Sequence, residues 1–317
     1  MTAVGAQAVK RSPVRWRAEL ALVCVALAWG TTFVLVKRTL VEISTVYFLA
    51  LRFSLASVCM LLLFMRPFRR AGARAVWRGL RGGAVAGLFL WTGYMLQTFG
   101  LKYTSAGNSG FLTGLYIVLV PLISAAVYRQ WPQIAELTGI LVASAGIVLI
   151  TIPSLEHSLR INRGDLLTIA CAVAFAFHLL VLGYFSQREN FEAVALGQIV
   201  CGAVLSAGWL VFEPPKVVWS FGVVSAIVVT AVFATALAFA LQTWGQKYTT
   251  ATRTALIFAL EPVFALATAV VVGGERLTVL GSMGAALILA GILVVELKPR
   301  APAGHRNSSS FDGHACR

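Results

Sequence analysis

The sequence predicts an all-α polytopic membrane protein, with ten transmembrane helices arranged as two inverted five-helix repeats. Three observations predict it. Of 317 residues, 59% are hydrophobic and only 12% are charged, about half the charged share of a soluble domain. Ten continuous apolar runs follow one another, each long enough to cross about 30 Å of hydrocarbon. A nine-residue motif also recurs 145 positions further on.

The runs lie near 18–36, 44–65, 82–101, 105–128, 134–152, 165–185, 194–212, 219–243, 251–272 and 278–296. They are continuous rather than alternating, which excludes the strands of a membrane barrel. Turn or charge signals separate them: Arg66-Pro67, Trp131-Pro132, Glu213-Pro214-Pro215 and Gly273-Gly274-Glu275-Arg276. The chain divides into a basic N-terminal tail (1–17), a first repeat (18–152), a connecting loop (153–164), a second repeat (165–297) and a C-terminal tail (298–317). Lys10, Arg11, Arg15 and Arg17 before an apolar stretch resemble a signal peptide. The stretch runs on through Phe33-Val34-Leu35-Val36, however, and reads as the first membrane helix.

The net charge of +14 would by itself suggest nucleic acid, but the positions of the charges exclude that partner. With ten spans, 18 of the 26 Lys and Arg residues fall on the side of the termini, seven on the other, and Arg52 within a span. This is the positive-inside pattern, and it predicts both termini in the cytoplasm. Arg70, Arg74, Arg78 and Arg81 recur at spacings of 4, 4 and 3, with Ala73, Trp77 and Leu80 on another face. That pattern predicts either a short helix lying on the anionic inner leaflet or a solvated basic loop. Cys24, Cys59, Cys171 and Cys201 fall in spans and read as small buried residues, with no metal-ligand spacing. Neither a phosphate-binding Gly-rich loop nor a zinc or serine-hydrolase motif is present, so neither ATP hydrolysis nor another enzymatic activity, nor any cofactor, is expected.

The repeat carries the functional argument. Leu96-Gln97-Thr98-Phe99-Gly100-Leu101-Lys102-Tyr103-Thr104 matches Leu241-Gln242-Thr243-Trp244-Gly245-Gln246-Lys247-Tyr248-Thr249 at seven of nine positions. The same offset pairs Gly139 with Gly284 and Ala145-Gly146-Ile147 with Ala290-Gly291-Ile292. Each unit holds five spans, and an odd number inserts the halves in opposite orientations. Inverted repeats serve alternating access around a site between the halves.

Over about residues 18–297 the sequence resembles the drug/metabolite transporter superfamily, specifically the ten-helix EamA-type transporters. The resemblance rests on Ala28-Trp29-Gly30-Thr31-Thr32-Phe33, Ala50-Leu51-Arg52-Phe53, Tyr103-Thr104-Ser105-Ala106-Gly107-Asn108, Leu260-Glu261-Pro262-Val263-Phe264 and Gly274-Glu275-Arg276-Leu277-Thr278. It implies a central cavity lined by helices 1–4 and 6–9, with helices 5 and 10 as scaffold. It also implies a multi-pass plasma-membrane exporter of a small organic metabolite, an amino acid or drug-like compound, driven by proton exchange or the substrate gradient. The first half has Arg129-Gln130-Trp131-Pro132 where the family repeats a Gly-Glu-Arg-like turn, which favours a structural role for Glu275. A lipid-modifying membrane enzyme and a non-transporting sensor are the competing readings. A homodimer is compatible with the sequence.

Candidate site residues follow from polarity inside spans. Arg52 is either a cavity cation for an anionic substrate or an anchor for backbone carbonyls; its repeat counterpart lies near Gln198. Glu261, before Pro262, is either a proton carrier or a cap on the broken helical ladder. His178 is a second proton-coupling candidate or a packing residue. Asn108 and Arg253 are equivalent by the offset and are gate candidates. Trp29, Phe33, Trp91, Tyr94, Phe111 and Tyr116 could stack a flat substrate, with Thr32 and Gln242 among them. Pro121 and Pro262 are candidate hinges. Gly83-x-x-x-Gly87 and Gly110-x-x-x-Gly114 permit close helix contact.

Overall fold

Ten crossings are built from fourteen α-helices in the computed structural model, which describes residues 13–104, 106–129, 133–155, 162–271 and 277–297. Residues 1–12 and 298–317, half of the loop between the repeats, and Glu275 lie outside the described residues, and α1 begins inside the basic segment read as an N-terminal tail. The first repeat comprises α1 (Pro13–Gly30) with α2 (Phe33–Thr39), then α3 (Thr45–Ala71), α4 (Ala73–Gly100), α5 (Ala106–Thr113) with α6 (Tyr116–Tyr128), and α7 (Ile134–Leu155). The second comprises α8 (Arg163–Ser186), α9 (Phe191–Trp209), α10 (Phe221–Ala231) leading through a π-turn into α11 (Ala238–Tyr248), α12 (Ala251–Phe258) with α13 (Glu261–Val271), and α14 (Val279–Leu297). Eight crossings are long and apolar enough to span by themselves. The glycine-rich α4 and the 19-residue α14 complete the ten.

The structure corrects the reading of the basic segment as a separate surface helix. Helix α3 continues through Pro67 to Ala71, and α4 begins at Ala73, with Gly72 alone turning the chain at φ 79°. Arg70 ends one span, and Arg74, Arg78 and Arg81 sit on the first turns of the next. All four are exposed. The third span therefore begins nine residues before its apolar run, because a helix needs no apolar side chains once it leaves the hydrocarbon.

Four spans expected to be continuous are interrupted. The first opens at Thr31–Thr32, whose hydroxyls bond back to the Ala28 and Trp29 carbonyls, competing with the helical ladder. The fourth breaks at Gly114–Leu115 and the ninth at Ala259–Leu260, positions separated by the repeat offset. Both breaks are carried by bonds to the third residue back, Leu115 N to Leu112 O and Leu260 N to Ile257 O. The eighth contains the π-turn Val232–Leu237. Pro262 sits in the first turn of α13, where a missing N–H costs nothing. Pro121 lies inside α6, after the break that Gly114 marks.

The scaffold helices α7 and α14 meet across a pseudo-two-fold axis. A Cβ on Gly146 would lie 2.5 Å from Gly284 O, and one on Gly284 2.5 Å from Gly146 O. Gly139 and Gly291 make the same reciprocal contact at 2.6 and 2.5 Å. Repeat-equivalent glycines thus exchange places, as inverted symmetry requires. Gly83 and Gly87 on α4 are equally close to α9. Gly110 faces no neighbour within 4 Å, so the Gly110/Gly114 pair marks a break rather than a helix contact.

Two apolar clusters form the interior, one around α6, α7, α8 and α12 and the other around α3, α9 and α11. Trp29 and Phe175 pack against both. Gly146→Leu is expected to lower thermal stability in detergent by about 1–3 kcal/mol through overpacking. Gly208→Ala, which would meet nothing within 4 Å, should leave the melting temperature unchanged.

Candidate functional site

Between the two clusters lies a cavity of about 70 Å3. Repeat-equivalent residues line it in pairs: Tyr94 with Phe239, Gln97 with Gln242, Thr113 with Phe258, and Tyr116 with Glu261. The cavity therefore sits on the axis relating the halves. Tyr116 and Glu261 begin α6 and α13 immediately after the two symmetric breaks, so both interrupted helices point their second segments at it.

Arg52 is the best-determined wall residue. It is 4% exposed, and its Nε donates to Thr235 Oγ1 at 2.7 Å. Its Nη2 donates to Tyr94 Oη at 3.1 Å and to Ala234 O at 3.3 Å. The guanidinium also lies 4.7 Å from the centroid of the Tyr94 ring. The π-turn supplies both second-half partners. Thr235 Oγ1 in turn donates to Thr230 O, five residues back, at 2.8 Å. Ala234 O accepts a second bond from Trp29 Nε1 at 2.9 Å. Arg52 thus lines the cavity and also anchors a backbone carbonyl.

His178 lines the same cavity and is 2% exposed. Its Nε2 is 2.8 Å from Gln198 Oε1, and Gln198 Nε2 donates to Thr243 Oγ1 at 3.0 Å. Gln198 is therefore one layer behind the wall. Trp29, Thr32 and Gln242 also line the cavity as the sequence suggested.

Other candidates lie elsewhere. The cavity stripe on α4 is Leu90, Tyr94, Gln97 and Thr98, with Leu101 at its C-cap; apart from the adjacent Gln97 and Thr98 the steps are three or four. Trp91 is one residue, about 100°, off that stripe. It bonds Ser206 at 3.1 Å and packs on Trp209 instead. Phe111 is two residues from the lining Thr113, on the far side of α5, and packs into the core. Asn108 is buried on α5 outside the lining. Arg253 is at the termini end of α12, where it pairs with Glu19 at 3.6 Å. The Phe33 side chain lies outside the described residues. Gln97 and Phe239 were not anticipated, although the offset applied to Gln242 and Tyr94 points directly to them.

Ties between the repeats lie beyond the cavity at both ends. On the termini side Glu19 of α1 takes Arg253 of the second repeat at 3.6 Å and, within α1, Arg15 at 2.8 Å. On the other side Thr104 Oγ1 donates to Asp165 of the second repeat at 2.6 Å, and Lys37, within the first repeat, donates to the Thr104 carbonyl at 2.6 Å.

Residues 16–152 and 162–297 each match the EamA-like transporter family. The chain is a member of that family. An uncharacterized transporter of Archaeoglobus fulgidus is 36% identical over 294 residues, 93% of this chain and 89% of its own length. The uncharacterized transporter YyaM of Bacillus subtilis is 29% identical over 86% of this chain and 91% of its own length. A solved crystal structure superimposes with a TM-score of 0.74 at 23% identity, covering 89% of this chain and 97% of that one, which shows the fold. The protein is thus a multi-pass membrane transporter of the drug/metabolite superfamily, and the cavity between its repeats is its candidate substrate site.

Thr235→Val preserves shape and removes the acceptor for Arg52 Nε. It is expected to cost about 1–3 kcal/mol, as for bonds to charged groups. The cost should shrink in an Arg52→Met background to that of the lost Thr235–Thr230 bond alone; fully additive losses in detergent melting would show that the two residues are uncoupled.

Proposed function

We propose that this transporter is a secondary carrier exporting a small, flat or apolar metabolite with a carboxylate, an amino acid or drug-like compound, by alternating access. The observation that carries the proposal is Arg52: a buried guanidinium on the cavity wall, in no ion pair among the described residues. A planar cation with fixed donors is matched to a carboxylate. Trp29, Phe175, Phe239 and Phe258 supply aromatic walls for the rest of the molecule.

Alternating access is supported by the symmetric breaks at Gly114–Leu115 and Ala259–Leu260 and by polar ties between the repeats at both faces. Arg253–Glu19 joins the halves at one face and Thr104–Asp165 at the other. Opening either face requires its ties to part while those of the other hold. The positive-inside bias supports cytoplasmic termini in the plasma membrane. It also supports Arg70, Arg74, Arg78 and Arg81 lying against the anionic leaflet. Glu261, the carboxylate among the lining residues, is the candidate proton carrier.

In proteoliposomes with imposed pH gradients, a panel of aromatic carboxylates should include a transported compound. Arg52→Gln should reduce its flux about tenfold or more, the loss of one charge-assisted contact. Absence of flux for the whole panel with folded wild-type protein would sink the carboxylate reading. Glu261→Gln should abolish the pH dependence of flux; an unchanged pH profile removes it as the carrier. In a background lacking native cysteines, Lys102→Cys and Arg188→Cys should label from opposite sides of the membrane, Arg188→Cys from the cytoplasm. Labelling of Arg188→Cys from outside would overturn the proposed orientation.

A further inference from the structure

A chain of hydrogen bonds behind the cavity wall fixes which nitrogen of His178 carries its proton. Thr243 Oγ1 is 2.6 Å from Phe239 O. Two oxygens at that distance need a hydrogen between them, and a carbonyl has none, so the Thr243 hydroxyl points at Phe239. Thr243 Oγ1 can then only accept from Gln198, which orients the amide with Nε2 toward Thr243, 3.0 Å away, and Oε1 toward His178, 2.8 Å away. An amide oxygen accepts, so His178 Nε2 must carry the hydrogen. In a neutral imidazole the other nitrogen, Nδ1, is then a lone-pair acceptor. It has no partner among the described residues, and its ring lines the cavity.

A second acceptor is idle on the same wall. Gln242, 1% exposed, lines the cavity, and its Oε1 is buried without a hydrogen-bond partner. Buried polar atoms in native structures are nearly always paired, so an unpaired one at a cavity wants an explanation. Arg52, by contrast, presents only donors. Arg52 on α3 of the first repeat thus offers donors to the cavity, and His178 on α8 of the second offers an acceptor, with the Gln242 amide of α11 on the same wall.

We infer that His178, held as the Nε2–H tautomer by Gln198, is the specificity-determining acceptor for an N–H or O–H group that the substrate carries beside its carboxylate, with Gln242 as a second acceptor. This rests on the carboxylate reading of Arg52 and extends it. A ligand must bring both an acceptor end and a donor end, because either alone leaves one side of the cavity unpaired. Gln198 touches no ligand and acts as a positioning residue through the histidine.

The test compares two probes that share a phenyl ring and a carboxylate, L-phenylalanine and 3-phenylpropanoate. They differ in the ammonium group. With purified full-length protein, calorimetric titration should give at least about tenfold tighter binding of L-phenylalanine. His178→Leu should bring the ratio to about one by weakening L-phenylalanine alone, and His178→Asn, with a carbonyl near the place of Nδ1, should restore it. Gln198→Leu should lose part of the preference and Gln198→Glu keep it. Gly208→Ala, on an open face of α9 away from the cavity, should leave the ratio intact. A preference that survives in His178→Leu, or is lost in Gly208→Ala, overturns the assignment. So does equal binding of the two probes by the wild type. If neither probe binds, the carboxylate reading fails and the ligand half of the inference falls with it. Nitrogen NMR of histidine-labelled protein, with the His178→Asn spectrum as reference, tests the histidine separately. An Nε2–H signal is expected for His178; an Nδ1–H or imidazolium signal overturns the tautomer whatever the probes do.

Discussion

In hydrocarbon no backbone N–H or C=O can turn to water, so a helix can be interrupted only where protein or a polar cavity takes over its partners. All four interruptions in this fold surround one cavity. The Thr31–Thr32 opening, the two symmetric breaks and the π-turn each bring a residue to its wall: Thr32, Tyr116, Glu261, and the Thr235 and Ala234 partners of Arg52. The lipid-facing helices α7 and α14 are uninterrupted. Irregularity is therefore concentrated where the substrate is proposed to bind, and the regular helices hold the halves together.

The same constraint governs the polar side chains. A guanidinium in this environment must be paired, and one acceptor comes from the π-turn carbonyl of Ala234, which also accepts from Trp29. Three elements from both repeats thus converge on one backbone oxygen. Any motion of one repeat against the other has to carry that junction along or part it. The ties at either face are simpler pairwise contacts, Arg253–Glu19 between partly buried partners and Thr104–Asp165 between buried ones, so each parts with fewer bonds broken than the Arg52 junction.

Inverted symmetry explains why the site is asymmetric in chemistry though symmetric in place. The offset pairs Tyr116 with Glu261 and Thr113 with Phe258, so equivalent positions carry different groups. The duplicated backbone supplies a cavity on the axis, and divergence of the side chains supplies its polarity. Arg52 has Gly197 as its strict counterpart, with Gln198 beside it. Gln198 serves the histidine rather than the ligand.

Hydropathy, charge placement and the repeat were local or periodic signals, and they determined the number of spans, their inverted arrangement and the family. They reached Arg52, His178, Tyr94 and Glu261 because an ionisable or hydroxylated aromatic residue inside a span is costly unless it has partners. They could not settle rotation about a helix axis, which is why Trp91 and Phe111 were expected at a cavity that a neighbouring face of the same helix lines. Nor could they foresee that Arg74, Arg78 and Arg81 continue a span, since apolar length marks hydrocarbon and not helix. The tertiary structure alone decided which carbonyl holds Arg52, that Gln198 orients His178, and where the helices break, because each depends on an atom supplied by another span.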